Sequence, residues 1–312
     1  MKKTIIETFA LLSFTLIMFA CSGDDTPYNP YNHQSKEPFY PSEILIGKSS
    51  SKRNIEEKWT FEYTGRNNDT IRRYTHSTVT RITNNGFTET TTEQEEGTLS
   101  YPNKFLVQNK INYTKKVEGF ENTNEEKQII IERAKCGYGK IESIERVIDY
   151  IDENGGVIKS ATSSRSFSYT GDHCTASTYT DENGKQTTYT YNWDSRHRLN
   201  SVVVDDKSDN TRVNRTYNYS YGPVGKNYGF DINTFIYDNM PHVYSAMGFF
   251  GDASPYVIDE ERQDFRILFE GRWEKDNSSD RKIFTTTEYT NEIKTDIMSD
   301  IYRNNYYIKF VK

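Results

Sequence analysis

The side chains best able to act as base, metal ligand or proton carrier are five histidines: His33, His76, His173, His197 and His242. A helical zinc motif needs two His one turn apart so that both face one ion, and no pair has that spacing. His173-Cys174 is the one adjacent His/Cys pair. A metal or thiol site there needs further ligands, and a turn histidine beside a structural cysteine is the simpler reading. Carboxylates cluster at Glu125-Glu126, Asp205-Asp206 and Asp259-Glu260-Glu261. Glycoside hydrolysis needs two carboxyls facing each other across a cleft, about 5–9.5 Å apart. Sequence neighbours instead suggest solvated faces. The run Asp205–Asn210 holds three carboxylates but lacks the Gly and Glu that an EF-hand loop places at its sixth and twelfth positions. No Gly-rich phosphate loop opens a helix, and no Gly-x-Ser-x-Gly elbow occurs. The residues therefore assign no catalytic group, no metal and no cofactor.

Aromatic faces are the remaining chemistry. Trp59, Trp193 and Trp273, with 24 Tyr, could stack on sugars. Cross-strand aromatic ladders are the competing reading, at roughly 0.2–1 kcal/mol per pair. Trp193 is the candidate stacking residue, because it falls at an expected turn where no packing reason is visible. Hydrophobic residues make up 34% of the chain. Few aliphatics and many Tyr suit sheets with one wet face. The net charge of −6 offers no basic stripe for nucleic acid.

The elements that must position these groups read as strands. Lys58–Gly65, Ile71–Thr83, Lys104–Lys116 and Lys127–Lys135 alternate Thr, Tyr, Val and Ile with charges, the period-2 pattern of half-buried strands. Two later stretches share one turn: Asp-Glu-Asn-Gly at 152–155 and again at 181–184. Asn154-Gly155 and Asn183-Gly184 suit the positive-φ positions of tight hairpins. The expected fold is mainly β: a long antiparallel meander of hairpins forming a curved or partly closed sheet. Apolar residues recur three and four apart at Phe235, Ile236, Met240, Val243, Tyr244 and Met247, and Pro241 interrupts them. One or two short helices are expected near 233–250. A long uncharged sheet edge, if present, would favour strand addition by a partner.

These segments carry a resemblance. Tyr189–Val202 (YTYNWDSRHRLNSV), Tyr217–Gly222 (YNYSYG) and Phe167-Ser168-Tyr169 resemble YD-type repeats. With Phe230-Asp231-Ile232-Asn233 and Met247-Gly248-Phe249-Phe250-Gly251, they resemble a family of β-rich Bacteroidetes lipoproteins classed as a domain of unknown function. The YD-like hairpins are clearest in 142–222, and the family motifs fall in 227–258. The two motifs depart from the family's order or spacing, and that family carries no catalytic residues to transfer.

The beginning of the chain reads as a targeting segment. Lys2 and Lys3 precede a 12-residue, mostly apolar run, Phe9–Ala20, too short to span a bilayer. Ala20-Cys21 after that run resembles a bacterial lipobox, which implies lipidation of Cys21, palmitate among the acyl groups. Asp24-Asp25 resembles the acidic export signal of surface lipoproteins. The Pro-rich Thr26–Pro41 reads as a tether. The expected organisation is a signal peptide over 1–20, lipidated Cys and tether over 21–41, and a single β-rich domain over 42–312. Cys136 and Cys174 form the one candidate disulfide, with two buried free thiols as the alternative. Asp69-Thr70-Ile71 resembles an O-glycosylation acceptor centred on Thr70. Together these features imply a non-enzymatic, lipid-anchored outer-membrane protein facing the cell exterior, a binding or scaffold module for a glycan or an envelope protein. The alternatives are a polysaccharide hydrolase and a structural spacer.

Overall fold

The computed structural model describes residues 40–50, 52–64, 70–84, 86–119, 123–195, 198–206, 213–223, 233, 242–250, 256–269, 272–288, 292–299 and 303–311. Among them are sixteen strands and one short helix. The strands are β1 Tyr40–Ser49, β2 Arg53–Thr64, β3 Thr70–Asn84, β4 Phe87–Asn103, β5 Leu106–Glu118, β6 Thr123–Gly137, β7 Lys140–Ile151 and β8 Val157–Thr170. They continue with β9 His173–Thr180, β10 Gln186–Trp193, β11 Leu199–Asp206, β12 Val213–Pro223, β13 Tyr256–Phe269, β14 Arg272–Glu288, β15 Glu292–Ser299 and β16 Arg303–Val311. Helix α1, His242–Ala246, follows directly on Pro241 and lies between β12 and β13. Tyr40 and Pro41, read above as the end of the tether, belong to β1.

Each strand runs antiparallel to its chain neighbours, and β1 pairs with β16 as well as β2. The meander therefore closes into a barrel, with Tyr40 opposite Val311 and Ser49 opposite Arg303 at the seam. The expected antiparallel meander is observed, and of the one or two short helices expected near 233–250 the described residues contain one, His242–Ala246. Among the described residues closure leaves no free sheet edge, so the condition for strand addition by a partner is not met.

The repeated turn explains itself locally. Asp152 Oδ1 accepts from the backbone N–H groups of Asn154 (2.9 Å) and Gly156 (2.7 Å). Asp181 Oδ1 does the same for Asn183 and Lys185, both at 2.8 Å. The left-handed position is taken by Gly155 (φ 84°) and Gly184 (φ 78°), not by the asparagines. The acidic residue caps the turn and the glycine supplies its backbone conformation. Asp194 repeats the device, its carboxylate accepting from Arg198 N at 3.1 Å.

Alternation along each strand separates an inner from an outer face. On β5, Val107, Asn109 and Ile111 point inward and are buried, whereas Lys110 and Asn112 point outward and are exposed. Burial also changes along the barrel axis. The inner residues are buried near the end that holds the turns between β4 and β5 and between β6 and β7. They are only half-buried towards the opposite end, as at Tyr113, Lys115 and Val117. A barrel of eight strands can fill its interior with its own side chains, and sixteen enclose too much space for that. The segment from Val243 to Phe250 fills the lumen at the first end, and all eight of its residues are buried. Ile141 N donates to Phe249 O (3.1 Å), Tyr101 Oη contacts Met247 Sδ (3.2 Å), and Phe250 packs against Phe167 with centroids 5.0 Å apart. We call this the plugged end and the other the mouth.

The outer faces of β4, β5 and β8 are polar. Outward residues include Thr92, Gln94, Glu96 and Thr98 on β4, Gln108, Lys110, Asn112 and Thr114 on β5, and Thr162, Ser164, Ser166 and Ser168 on β8. A lipid-facing barrel needs an apolar outer band about 25 Å tall, and each Lys at mid-bilayer costs about 2–4 kcal/mol. The outward residues of these three strands form no such band. Among the described residues, no helix is long and apolar enough to cross a membrane.

Candidate functional site in the barrel mouth

Strand register assembles the mouth from residues far apart in sequence. Trp59, His76, Glu95, Tyr113, Gln128, Tyr150 and Lys159 stand opposite one another on successive strands from β2 to β8. One step nearer the rim, Glu57, Thr78, Glu93, Lys115 and Glu126 form a second arc. One step deeper, Phe61, Tyr74, Gly97, Ile111 and Ile130 begin the apolar base. Polar groups thus line the half that water reaches, and apolar groups fill the half that the plug seals.

His76 is the most heavily constrained group in the mouth. Its Nε2 lies 3.2 Å from Glu57 Oε1 and its Nδ1 lies 3.4 Å from Glu95 Oε2. The ring stacks on Trp59 with centroids 3.8 Å apart and planes 12° from parallel. Trp59 Nε1 in turn donates to Glu57 Oε1 at 2.7 Å. Burial alone would push the imidazole down. The hydrogen bonds and charges of Glu57 and Glu95 outweigh it and raise His76 to about 9. The ring is therefore a cation at neutral pH, held between two carboxylates over an indole face.

This sets a pH dependence. A histidine raised in the folded state adds stability that is complete below its unfolded value, near 6.5, and disappears as pH rises through about 9. Its magnitude is of the order of 3 kcal/mol. Urea unfolding of the wild type between pH 6 and 10 should show that loss. His76→Gln should be the less stable protein at pH 6 and show little of this component. Parallel pH curves for the two proteins would refute the assignment.

Neighbouring mouth groups are polar and within reach of solvent. Tyr113 Oη donates to Glu93 Oε1 at 2.9 Å, and Lys115 Nζ lies 3.8 Å from the same oxygen. Deeper, Glu132 Oε2 accepts from Asn109 Nδ2 (3.0 Å) and from Tyr244 Oη of the plug (3.0 Å). Arg146 Nε stands 3.8 Å from its other oxygen. Burial raises the Glu132 carboxyl despite these partners. Further round, Arg165 lies over the rings of Tyr189 (4.8 Å) and Phe167 (5.4 Å) and donates to Ser177 Oγ at 2.9 Å.

The residues singled out in the sequence fall elsewhere. Cys136 and Cys174 are both free and buried, so the candidate disulfide is overturned. Cys136 on β6 stands opposite Ile141 on β7, and Cys174 on β9 stands opposite Tyr169 on β8. Three inter-strand steps, about 14 Å in all, separate them, whereas a disulfide needs Cα atoms within about 7 Å. Burial pushes both thiols up to about 12. Trp193 closes β10 at the plugged end, far from the mouth. It stacks on His173 at 4.6 Å and donates to Cys174 O at 2.8 Å, the packing reason that its sequence position did not reveal. Thr70 opens β3 opposite Thr64 and is half-buried rather than at a turn tip. Cys21 lies outside the described residues, as do Phe230–Ile232 and Gly251. Asn233, from the first family motif, is buried, and its Oδ1 accepts from Ile258 N at 3.0 Å.

The paired carboxylates are split by strand geometry, since adjacent residues point to opposite faces. Glu126 faces the lumen and Glu125 the solvent. Glu261 is buried and pairs with Lys282 at 2.5 Å, while Glu260 binds Arg262 on the other face. The carboxylates that do share a space, Glu57 and Glu95, are 38 residues apart in sequence and meet across His76. The only local signal for them is the two-residue spacing of Glu57 and Trp59, which puts both on one face. Among the described residues, no group of three or more His, Cys, Asp or Glu is arranged to hold a metal ion.

No family model matches the chain, and no curated protein matches it. A solved porin-like protein from Bacteroides uniformis ATCC 8492 aligns over 86% of this chain and 98% of its own, with 14% identity and a TM-score of 0.48. That likeness is too low to define the fold, which rests on the strand pairing itself.

Proposed function

We propose that this chain is a non-enzymatic lipoprotein of the outer membrane, anchored through Cys21 and facing the cell exterior, whose barrel mouth binds a polar ligand, with a glycan as the first class to test. The observation that carries the reading is the mouth itself: a half-exposed belt of Tyr113, Gln128 and Tyr150 with Glu93 and Glu126 above it, over a sealed apolar base. Tyrosine rings offer stacking faces, while carboxylates and amides offer hydrogen bonds to sugar hydroxyls. The polar outer faces of β4, β5 and β8 fit a barrel whose wall stands in water and whose anchor is the tether. The hydrolase alternative needs a carboxylic acid free to donate a proton to substrate. Here Glu57 and Glu95 are engaged by His76, and the raised carboxyl, Glu132, is bound by the plug. These engagements favour binding over catalysis.

The test is a glycan and polysaccharide array probed with residues 26–312. Binding should be lost in Tyr113→Ala combined with Glu93→Gln, and kept in Trp193→Ala, whose side chain lies at the opposite end. Loss in Trp193→Ala alone would move the site out of the mouth. Silence across the array from folded protein would exclude the glycan and turn the search to an envelope protein. Release of shorter saccharides would overturn the non-enzymatic reading.

A further inference from the structure

The plugged end carries two large rings that the fold does not use. Tyr138 is 94% exposed at the tip of the turn between β6 and β7, and Phe105 is 57% exposed at the turn between β4 and β5. The two tips are adjacent, since Cys136 N donates to Phe105 O at 2.9 Å. The next tip is tied in as well: Lys140 Nζ donates to Gly171 O (2.8 Å) and to Asp172 Oδ1 (2.7 Å). Lys104 Nζ lies 5.1 Å from the Phe105 ring centroid. The row of tips is therefore fixed in place, with its rings pointing away from the barrel.

Tyr138 is costly where it stands. Gly137 pairs with Lys140, leaving Tyr138 (φ 52°) and Gly139 (φ 76°) as the central residues of a two-residue hairpin turn. Both central residues of such a turn need positive φ, which is why Asn, Asp and Gly are preferred there. Among the described residues, Tyr138 is the only non-glycine with positive φ. A tyrosine in the left-handed region, packed against nothing, gives the fold strain and no burial in return. The reason for a ring here has to lie outside the barrel.

The direction of the chain says what lies there. Ser49 is at the mouth, where β1 turns into β2, so Tyr40 is at the plugged end. Tyr40 lies nineteen positions after Cys21 (40 − 21). On the reading that Cys21 is lipidated, on which this inference rests, the membrane lies beyond the plugged end. Tethering raises the effective concentration of lipid at that end, so weak contacts suffice. Aromatic rings with Lys beside them are the side chains that settle at headgroup level.

We infer that the plugged end is a membrane-facing surface, with Tyr138 and Phe105 seated in the lipid headgroup layer and the mouth directed away from it. The test replaces the lipid anchor, so that it does not depend on acylation. The chain from residue 21, with Cys21→Ser and an N-terminal histidine tag, is bound to phosphatidylcholine/phosphatidylethanolamine vesicles that contain nickel-chelating lipid and acyl chains brominated near the headgroup. Two reporters are compared with the unsubstituted chain: Tyr138→Trp, and Phe87→Trp at the mouth, where Phe87 is 58% exposed. The expected result is loss of roughly half the emission added by Tyr138→Trp, and little loss for Phe87→Trp. Equal quenching of the two, or quenching of Phe87→Trp alone, overturns the orientation. No quenching of either overturns the membrane contact and leaves these rings to a protein partner. Whether Cys21 carries lipid is decided separately by mass spectrometry of the mature chain, so failure of either idea can be told from failure of the other.

Discussion

Tyr244→Ala is expected to cost about 3–5 kcal/mol of unfolding free energy. The side chain is fully buried and sits in the plug, where a sixteen-stranded wall leaves space that strand side chains do not fill. Truncation removes the ring from the middle of the lumen base, and the rigid wall can collapse only partly around the gap. The change also removes the hydroxyl that donates to Glu132, so a buried carboxylate loses one of its donors. Tyr244→Phe separates the two effects: it keeps the ring and should cost about 1–2 kcal/mol. Urea unfolding of both variants near neutral pH measures the difference. If Tyr244→Ala costs less than about 1 kcal/mol, the plug does not stabilise the barrel and the lumen is stable without it.

A second large effect is expected at Gly97. It stands opposite Tyr74 on the inner face, and a Cβ placed there would lie 1.9 Å from Tyr74 Cε1. The tyrosine ring covers the bare glycine backbone. It is held by stacking on Trp59 (5.7 Å) and by the bond from Asn109 Nδ2 (3.1 Å), so it has little freedom to move away. Gly97→Ala should therefore cost about 1–3 kcal/mol, against the fraction of a kcal/mol that alanine normally gains over glycine in a strand. The partner can be tested directly. In a Tyr74→Ala background the ring is gone, and the Gly97→Ala penalty should vanish or reverse sign. Additive costs would mean that the clash lies elsewhere. Because Trp59 also supports His76, the same double-mutant cycle can be read through the His76 pH dependence.

The strands were legible where one face is apolar. β5 and β6 alternate Val, Ile and Ala with Lys, Glu and Asn, and their expected ranges agree with the structure to within a few residues. β4 was not legible. Its inner residues Glu93, Glu95 and Gly97 are no more apolar than its outer Gln94 and Glu96, so period-2 reasoning has no contrast to detect. The mouth fails to show in the sequence for the same reason: a wet inner face looks like a wet outer one. His76 gave no signal because its partners come from the strands on either side of it, Glu57 and Trp59 from β2 and Glu95 from β4. Trp193 misled in the opposite direction, since its partners His173 and Cys174 O stand at the far end of the paired strand β9, Cys174 being 19 residues back in sequence.

The sequence by itself determined the local rules of this protein. Asp-Glu-Asn-Gly specifies its turn because the Asp carboxylate and the Gly backbone act within five residues. Tyr-x-Tyr specifies that both rings share a face, as at Tyr189 and Tyr191 on β10. Tertiary structure alone decided closure, the plug and the contents of the mouth. Ser42 Oγ reaches Lys309 O across 267 residues, Tyr244 reaches Glu132 across 112, and His76 reaches Glu57 across 19. Such meetings follow from the summed register and twist of sixteen strands, a property of the whole sheet that no single window of sequence contains.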